Sequence, residues 1–363
     1  MKIAVNSRMY ERTETGVPYY IRDLYTELQK KDTENNYIFL QLDSQKTLGT
    51  TRTFSKFKNK LSNFLFDYIF SGTLARSEQV DIFHGPAHSL PFFKSKKIKY
   101  IVTIHDLVFL NIPKLYNPIF RLYHFWALRR NIKSADHIIA VSEYTKNDII
   151  KFFKISESKI SVIYSGVHNS FITAQQQHKI ISEPYFLSVV TNNKRKNIES
   201  GIKALAHTHH LKNYTYIIVG PLTLEHERSL IKLAQDLGVS SQIKIFGYAT
   251  EHELISLYQH ASFLLYPSFW EGFGFPVLEA MILNCPVITS HNSSLPEIMP
   301  DKRWLIDPYS VESISKTINA LLALEPHEKD ELLRKNRSFA LHFTWDKTAE
   351  KMMKVWATVH SNQ

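Results

Sequence analysis

The chain has 363 residues, 44% of them hydrophobic and 21% charged, which suits a globular protein with room for two ordinary domains. No apolar run is long enough to span a bilayer, and the apolar part of Met1–Asn6 is too short for a secretory signal. The lone Cys285 excludes an internal disulfide and a cysteine metal cluster, so a reducing cytoplasm is the expected compartment.

Short apolar runs alternating with amphipathic stretches predict a doubly wound α/β domain in the first half. Its strands are expected at Lys2–Asn6, Asn36–Leu42, Val80–His84, Tyr100–His105, His137–Ser142 and Ile160–Tyr164. Helices are expected at Tyr19–Lys30, Pro118–Ile132 and Tyr144–Phe153. The chain turns polar from Phe171 to Glu183, which reads as a linker. A second series then predicts strands at Tyr185–Val190, Tyr214–Val219, Ile243–Phe246, Phe263–Tyr266 and Val287–Thr289. Its helices fall at Ile198–Ala206, Glu225–Leu237, Glu251–Gln259 and Pro276–Leu283, and residues from Val311 to Val359 read as helical.

The most informative stretch follows the strand that ends at Tyr266. Glu271-Gly272-Phe273-Gly274-Phe275-Pro276 leads into a helix carrying Glu279, setting two carboxylates eight residues apart across a glycine turn. Glycines allow close backbone approach to a ligand, and Pro suits the first helical turn. Free amides at such a helix start favour an anionic or hydroxyl-rich ligand. Glu279 has a plain structural reading as well, because a carboxylate in a first turn complements the helix dipole. Glu271 lies at the carboxyl end of a strand, where open α/β sheets bind ligands.

The string Trp270-Glu271-Gly272-Phe273-Gly274-Phe275-Pro276-Val277-Leu278-Glu279-Ala280-Met281 resembles the E-x7-E signature of retaining glycosyltransferases of family 4. The resemblance implies the GT-B fold: two Rossmann-like domains facing a cleft, with a C-terminal helix, around Met352–Trp356, crossing back to the first domain. It places Glu271 by a donor sugar and Glu279 on the ribose hydroxyls of a nucleotide. Backbone amides of Gly272, Phe273, Gly274 and Phe275 would hold sugar hydroxyls and phosphate. Domain bounds of 1–172, 183–345 and 346–363 are expected, the first on the acceptor side.

Other segments match the family in order. Ser188–Ile198 sets Lys194-Arg195-Lys196 between a strand and a helix, and resembles the family's phosphate loop. By that resemblance Lys196 and Arg195 grip the diphosphate, while Thr191 stands where many members carry a second Arg and Val190 where Gly is usual. Tyr100–Leu107 is similar to the family's V-T-I-H-D-L, implying that His105 meets the donor sugar as a hydrogen-bond donor, its ring oriented by Asp106. Gly16 resembles the glycine of the loop after the first strand, near phosphates and acceptor. Tyr248, after Phe246-Gly247, is an implied donor-binding residue. His168 replaces a common Asp, and Arg303-Trp304 replaces a small, glycine-rich approach to Asp307-Pro308, which would reshape the donor pocket. The sequence lacks an Asp-x-Asp motif and its histidines lack ligand spacing, so no metal and no cofactor beyond a nucleoside diphosphate sugar are expected.

The implied reaction is retaining, metal-independent hexosyl transfer, with mannose favoured, to a glycan or lipid-linked glycan in O-antigen or lipopolysaccharide synthesis. A GT-B epimerase, or a non-catalytic nucleotide- or glycan-binding protein on a degenerate fold, are the alternatives. A dinucleotide fingerprint does not follow the first strand, which disfavours a dehydrogenase. Finally, the formal net charge is +10, all of it within residues 1–170. It concentrates in Arg52–Lys60, Lys94–Lys99 and Arg121–Lys133, the first and third interleaved with aromatics such as Phe54, Phe57, Tyr123, Phe125 and Trp126. An anionic membrane surface and a solvated face both explain this, and the absence of any nucleic-acid motif disfavours the third candidate. Peripheral attachment at the inner face of the plasma membrane follows from the first.

Overall fold

The computed structural model describes residues 1–11, 16–42, 48–53 and 60–361, so Thr15 and Phe54 to Asn59 lie outside the described residues. The chain divides into two compact units, Met1–Gly166 with Phe343–Gln363, and Val167–His342.

The first unit is an all-parallel seven-stranded sheet in the order β3-β2-β1-β4-β5-β6-β7. The strands are β1 (Lys2–Asn6), β2 (Asn36–Gln41), β3 (Thr51–Thr53), β4 (Ile82–Gly85), β5 (Lys99–Ile104), β6 (His137–Ala140) and β7 (Ile160–Val162). Parallel strands covered on both faces read as near-continuous apolar runs, which is why Lys2–Asn6 and Tyr100–Ile104 were legible. Their core joins Ile38, Leu40, Phe83, Tyr100, Val102 and Ile138 to Leu128, Ile132 and Phe153 of flanking helices. The three-residue edge strand β3 was not expected, because three residues carry no readable period. His84 falls inside the sheet with no exposure, whereas His105 lies just past the end of β5.

The helix Trp345–Ser361 belongs to this unit. Thr348 Oγ1 donates to the Tyr164 carbonyl at 2.8 Å, and Trp356 is fully buried against Tyr25 and Tyr37. Burying an indole of that size contributes roughly 2–3 kcal/mol. Gly166 is required where the chain passes this helix, since a Cβ there would stand 2.1 Å from the Trp345 amide nitrogen.

The second unit is an all-parallel six-stranded sheet in the order β10-β9-β8-β11-β12-β13. These are β8 (Tyr185–Val189), β9 (Thr215–Val219), β10 (Ile243–Gly247), β11 (Leu264–Tyr266), β12 (Val287–Ser290) and β13 (Leu305–Ile306). The two-residue β13 was again too short to predict. The stretch read as a linker is tied down within this unit: Gln259 Oε1 accepts from the Gln177 amide at 2.8 Å, and Ser256 Oγ donates to the His178 carbonyl. In both sheets the strand order reverses beside the first strand, between β1 and β4 and between β8 and β11. Open α/β sheets bind ligands beyond the carboxyl ends of the strands at such a point.

Candidate active site

In the second unit, the chain leaves β8 through Val190 to Asn193, makes a single 3-10 turn over Lys194–Lys196, and enters the helix Ile198–His207. Asn193 caps the turn by accepting from the Arg195 amide at 3.0 Å. Asn197 holds a left-handed conformation at φ +56°, which Asn tolerates better than most residues. Its side-chain amide donates to the carbonyls of Pro267 (3.0 Å) and Pro308 (2.8 Å), fixing the turn against the segments after β11 and β13.

This turn delivers two cations to one carboxylate. Lys196 is buried, and its Nζ donates to Glu271 Oε1 at 2.7 Å and to the Tyr266 hydroxyl at 2.6 Å. Arg195 Nη1 donates to Glu271 Oε2 at 2.5 Å and to the Trp270 carbonyl at 2.7 Å. Tyr266 OH also donates to Glu271 Oε1 at 3.0 Å. Burial alone would raise the Glu271 pKa, but Arg195 and Lys196 override it and hold it at about 2. One carboxylate offsets two cations, so this buried cluster carries a surplus positive charge that a ligand anion would neutralise. Glu271 was expected at the donor sugar. Its Oε1 is instead saturated by Lys196 and Tyr266, and only Oε2 retains acceptor capacity.

The glycine turn is held from below. Ser293 Oγ accepts from the Glu271 amide at 3.1 Å, and Ser294 Oγ lies within hydrogen-bonding distance of the Glu271 and Phe273 carbonyls. Gly274 has φ +119°, and a Cβ there would stand 2.8 Å from Ile298 Cδ1 and 2.9 Å from Leu295 Cδ2. Phe275 opens the helix Phe275–Ile282, with Pro276 in its first turn, and Phe273 packs edge-on to Phe275 at 5.2 Å. Gly272 is half-buried in the bend before it. On that helix Glu279 is half-buried, and Tyr258 OH donates to its Oε2 at 3.0 Å. Burial raises the Glu279 pKa to about 7, with Glu251 adding and the Tyr258 bond and Lys196 opposing. Thr191 is half-buried in the β8 loop, its carbonyl accepting from the Asn193 amide at 2.6 Å. Tyr248 follows β10 with its ring largely exposed. Val190 sits where a glycine was expected; the close approach is made from the other side, since a Cβ on Gly220 would stand 1.9 Å from the Val190 carbonyl oxygen. Trp304 is buried, and Arg303 lies over its ring while pairing with Asp301 at 2.7 Å.

In the first unit, His105 is held by the loop that follows β4. Its Nε2–H donates to the Pro86 carbonyl at 2.7 Å, and its backbone amide donates to His88 Nε2 at 2.7 Å. Tyr20 packs edge-on against the ring at 4.8 Å. Burial, with His88 adding, lowers the His105 pKa to about 4, against the pull of Pro86 and Asp106. His105 is therefore neutral at physiological pH and its N–H is spent on Pro86, so Nδ1 is an acceptor. That corrects the expected donor role and the expected orientation by Asp106, whose Oδ1 accepts from the Val108 amide. Gly16 opens the helix Gly16–Lys31, and among the described residues nothing lies within 4 Å of where its Cβ would stand.

Lys196, Arg195 and Glu271 are thus in direct contact, with Glu279 and the glycine turn continuing from them. Tyr266, Tyr258, Asn197, Ser293, Ser294 and His88 were missed. Tyr266 ends the predicted strand Phe263–Tyr266 and the serine pair lies in the loop after Val287–Thr289, so their place was readable though their partners were not.

Two family models match consecutive parts of the chain: "Glycosyltransferase Family 4" over residues 15–171 and "Glycosyl transferases group 1" over residues 170–338. O-antigen chain mannosyltransferase B of Escherichia coli is 29% identical over 277 residues, 73% of this chain and 71% of that protein. O-antigen chain mannosyltransferase RfbU of Salmonella typhimurium is 32% identical over 232 residues, 64% of this chain and 62% of its own length. Sucrose-phosphate synthase of Thermosynechococcus elongatus superposes over 100% of both chains with TM-score 0.79 at 18% identity. Anabaena Alr3699/HepE in complex with UDP and glucose superposes over 99% of this chain and 100% of its own, with TM-score 0.70 at 15% identity. With parallel sheets in both units and the two models running in succession along them, the chain belongs to the family 4 glycosyltransferases of the GT-B fold.

Proposed function

We propose that the protein transfers a hexose, mannose by preference, from a nucleoside diphosphate sugar to a glycan or lipid-linked glycan, with retention of anomeric configuration and without a metal. The observation that carries this reading is the Lys196–Arg195–Glu271 cluster, whose surplus positive charge suits a departing diphosphate. Mannosyl transfer in O-antigen or lipopolysaccharide synthesis is supported by the two O-antigen relatives, and a nucleotide donor by the UDP bound in HepE.

In the proposed step the acceptor oxygen forms a bond to the anomeric carbon from the face that the leaving group vacates. The bond from that carbon to the phosphate oxygen breaks, and the acceptor proton passes to the departing phosphate. Negative charge grows on the diphosphate, so fixed cations gain strength in the transition state. Lys196 and Arg195 are those cations, with the amides of Gly274, Phe275 and the helix start adding donors. Glu271 holds both cations in register, and its Oε2 has capacity for one sugar hydroxyl. Glu279 takes the ribose hydroxyls. In the first unit, His105 Nδ1 is the candidate acceptor for a hydroxyl hydrogen, and Gly16 the candidate point of close approach. A cytoplasmic location at the inner face of the plasma membrane fits such an acceptor.

The test is a panel of nucleoside diphosphate sugars scored by protection against thermal unfolding, because a ligand that binds the native state raises the melting point. Protection by at least one nucleotide sugar, followed by transfer to a polysaccharide acceptor, is expected. Protection by none would sink the proposal.

A further inference from the structure

The loop after β4 carries a second histidine whose ring chemistry the proposed step leaves unused. His88 is the third residue past β4, one of the two strands between which the first sheet reverses its order. Ligands bind beyond the carboxyl ends of strands at such a reversal. His88 is half-buried and holds φ +65°, a left-handed conformation that residues other than glycine seldom adopt. Two anchors keep it there. Its amide donates to the Thr103 carbonyl at 3.2 Å, and its carbonyl accepts from the side-chain amide of Asn131, on the helix Pro118–Ser134, at 2.7 Å. Such a conformation persists only where the surroundings over-determine it, and it concentrates at binding sites.

Neighbouring backbone groups also fix where the ring protons stand. The His105 amide only donates, so His88 Nε2, 2.7 Å away, presents a lone pair and the His88 proton stands on Nδ1. The Pro86 carbonyl only accepts, so the His105 proton stands on Nε2 and its Nδ1 presents a lone pair. Burial lowers the pKa of both rings, which keeps each to one proton at neutral pH. The ring centroids are 5.4 Å apart and their planes 31° from parallel. Among the described residues neither Nδ1 has a hydrogen-bond partner. Receiving the His105 amide accounts for His88 Nε2 as a structural cap; it does not account for the N–H on the other side of the ring.

The two free nitrogens are thus one donor and one acceptor of fixed sense. A phosphate or carboxylate accepts without donating and would face the His105 lone pair. An ammonium donates without accepting and would face the His88 N–H. Hydroxyl groups do both. We propose that His88 Nδ1–H and His105 Nδ1 together bind the hydroxyl groups of a pyranose, His88 donating to a sugar oxygen and His105 accepting a hydroxyl hydrogen. The sugar as ligand rests on the transferase reading; the sense of the donor and acceptor does not.

The full chain, isotope-labelled at the histidine ring nitrogens, is observed by NMR at neutral pH, with His88→Gln and His105→Gln giving the assignments. His88 is expected as the Nδ1–H tautomer and His105 as the Nε2–H tautomer; the opposite tautomer at His88 would overturn the pair. Methyl α-mannopyranoside, GDP-mannose and UDP-glucose are then titrated, with GDP and UDP alone as controls. A His88 Nδ1 resonance moved by a nucleotide sugar but not by its nucleotide assigns the hexose being transferred, and one moved by the mannoside assigns the acceptor sugar. His88→Gln keeps an acceptor for the His105 amide and loses the Nδ1 donor, so it should weaken that sugar's contribution to affinity about three- to tenfold. Its melting point should move little. His88→Asn keeps a donor at the δ position and loses the acceptor, so it should melt lower yet retain more of the sugar affinity. A His88 resonance that answers no sugar, or equal sugar affinity in His88→Gln and wild type, would overturn the inference and leave water as the pair's occupant. Nucleotide-sugar protection in the melting experiment reads the second unit. Protection with a silent His88 therefore sinks this inference alone, and a responsive His88 without protection sinks the transferase reading alone.

Discussion

The two sheets share a plan and differ in what they gather at the same place. In each, the strand order reverses beside the first strand; in the second unit Lys196 and Glu271 follow the two strands at that reversal, whereas in the first unit His84 lies within β4 and His105 follows β5. Those of the second unit are ionised: two cations bracket Glu271 at 2.5 and 2.7 Å. In the first unit they are neutral. Burial lowers the pKa of His84 to about 3 and that of His105 to about 4; His84 spends both ring nitrogens on neighbours and His105 spends its N–H on Pro86. The balance of charge within the shielded space thus chooses the role. A buried surplus cation calls for an anion, whereas a neutral ring can only offer hydrogen bonds.

The contrast predicts unequal losses. Lys196→Ala should lower kcat about 10²- to 10³-fold, the usual scale for removing one fixed transition-state partner. Its melting point should move little, because Arg195 still pairs with Glu271. His105→Asn should cost far less, and steady-state kinetics in which it costs as much as Lys196→Ala would break the asymmetry. The next effect belongs to the neutral histidines. His84 lies 2.5 Å from the Tyr25 hydroxyl at Nδ1 and 2.8 Å from Thr103 Oγ1 at Nε2. Its folded pKa lies below its unfolded value, so the unfolded state binds the extra proton and stability falls as pH drops below about 6.5. At pH 5 this single ring should cost about 2 kcal/mol relative to pH 7.5. Denaturant unfolding of His84→Asn against wild type at both pH values isolates the term: the variant's pH slope should be smaller by that amount.

Much of this was legible in the sequence, and the exceptions have physical causes. Long buried parallel strands and capped helices announce themselves, as Lys2–Asn6 and Glu251–His260 with its Thr250 capping box do. Two- and three-residue edge strands carry no period, so Thr51–Thr53 and Leu305–Ile306 went unseen. The site residues with unusual chemistry, Lys196, Glu271 and Glu279, were readable as types at a spacing. Their partners were not: nothing local to Tyr266 says that its hydroxyl will sit between Lys196 and Glu271, five residues away in one case and seventy in the other. His105 shows the limit most plainly. Its place after β5 was foreseeable, but its donor was assigned to a ligand when the Pro86 carbonyl, nineteen residues back, takes it.

Glu279 sharpens the comparison from the other side, because its carboxylate accepts from the Tyr258 hydroxyl where Glu271 pairs with two cations. Its pKa of about 7 means that it is ionised above neutrality and largely protonated at pH 6. If the ionised form binds the ribose, nucleotide affinity by calorimetry should fall about tenfold from pH 8 to pH 6. In Glu279→Gln the affinity should be lower and the pH dependence gone. A wild-type affinity flat across that range would remove the ribose role.

The smallest structural effect is expected at Gly16, and its smallness is the point. Gly274 cannot accept a side chain, because its φ is +119° and Ile298 and Leu295 crowd it. Among the described residues nothing crowds Gly16, and its backbone is not left-handed, so they give no reason for a glycine there. At the start of a helix, Gly16→Ala should change stability by no more than about 0.5–1 kcal/mol, in the stabilising direction if anything. A fall in kcat/KM in that variant would then be due to the added methyl meeting a ligand. Unchanged kinetics would leave the first unit's contribution to His105 and its neighbours.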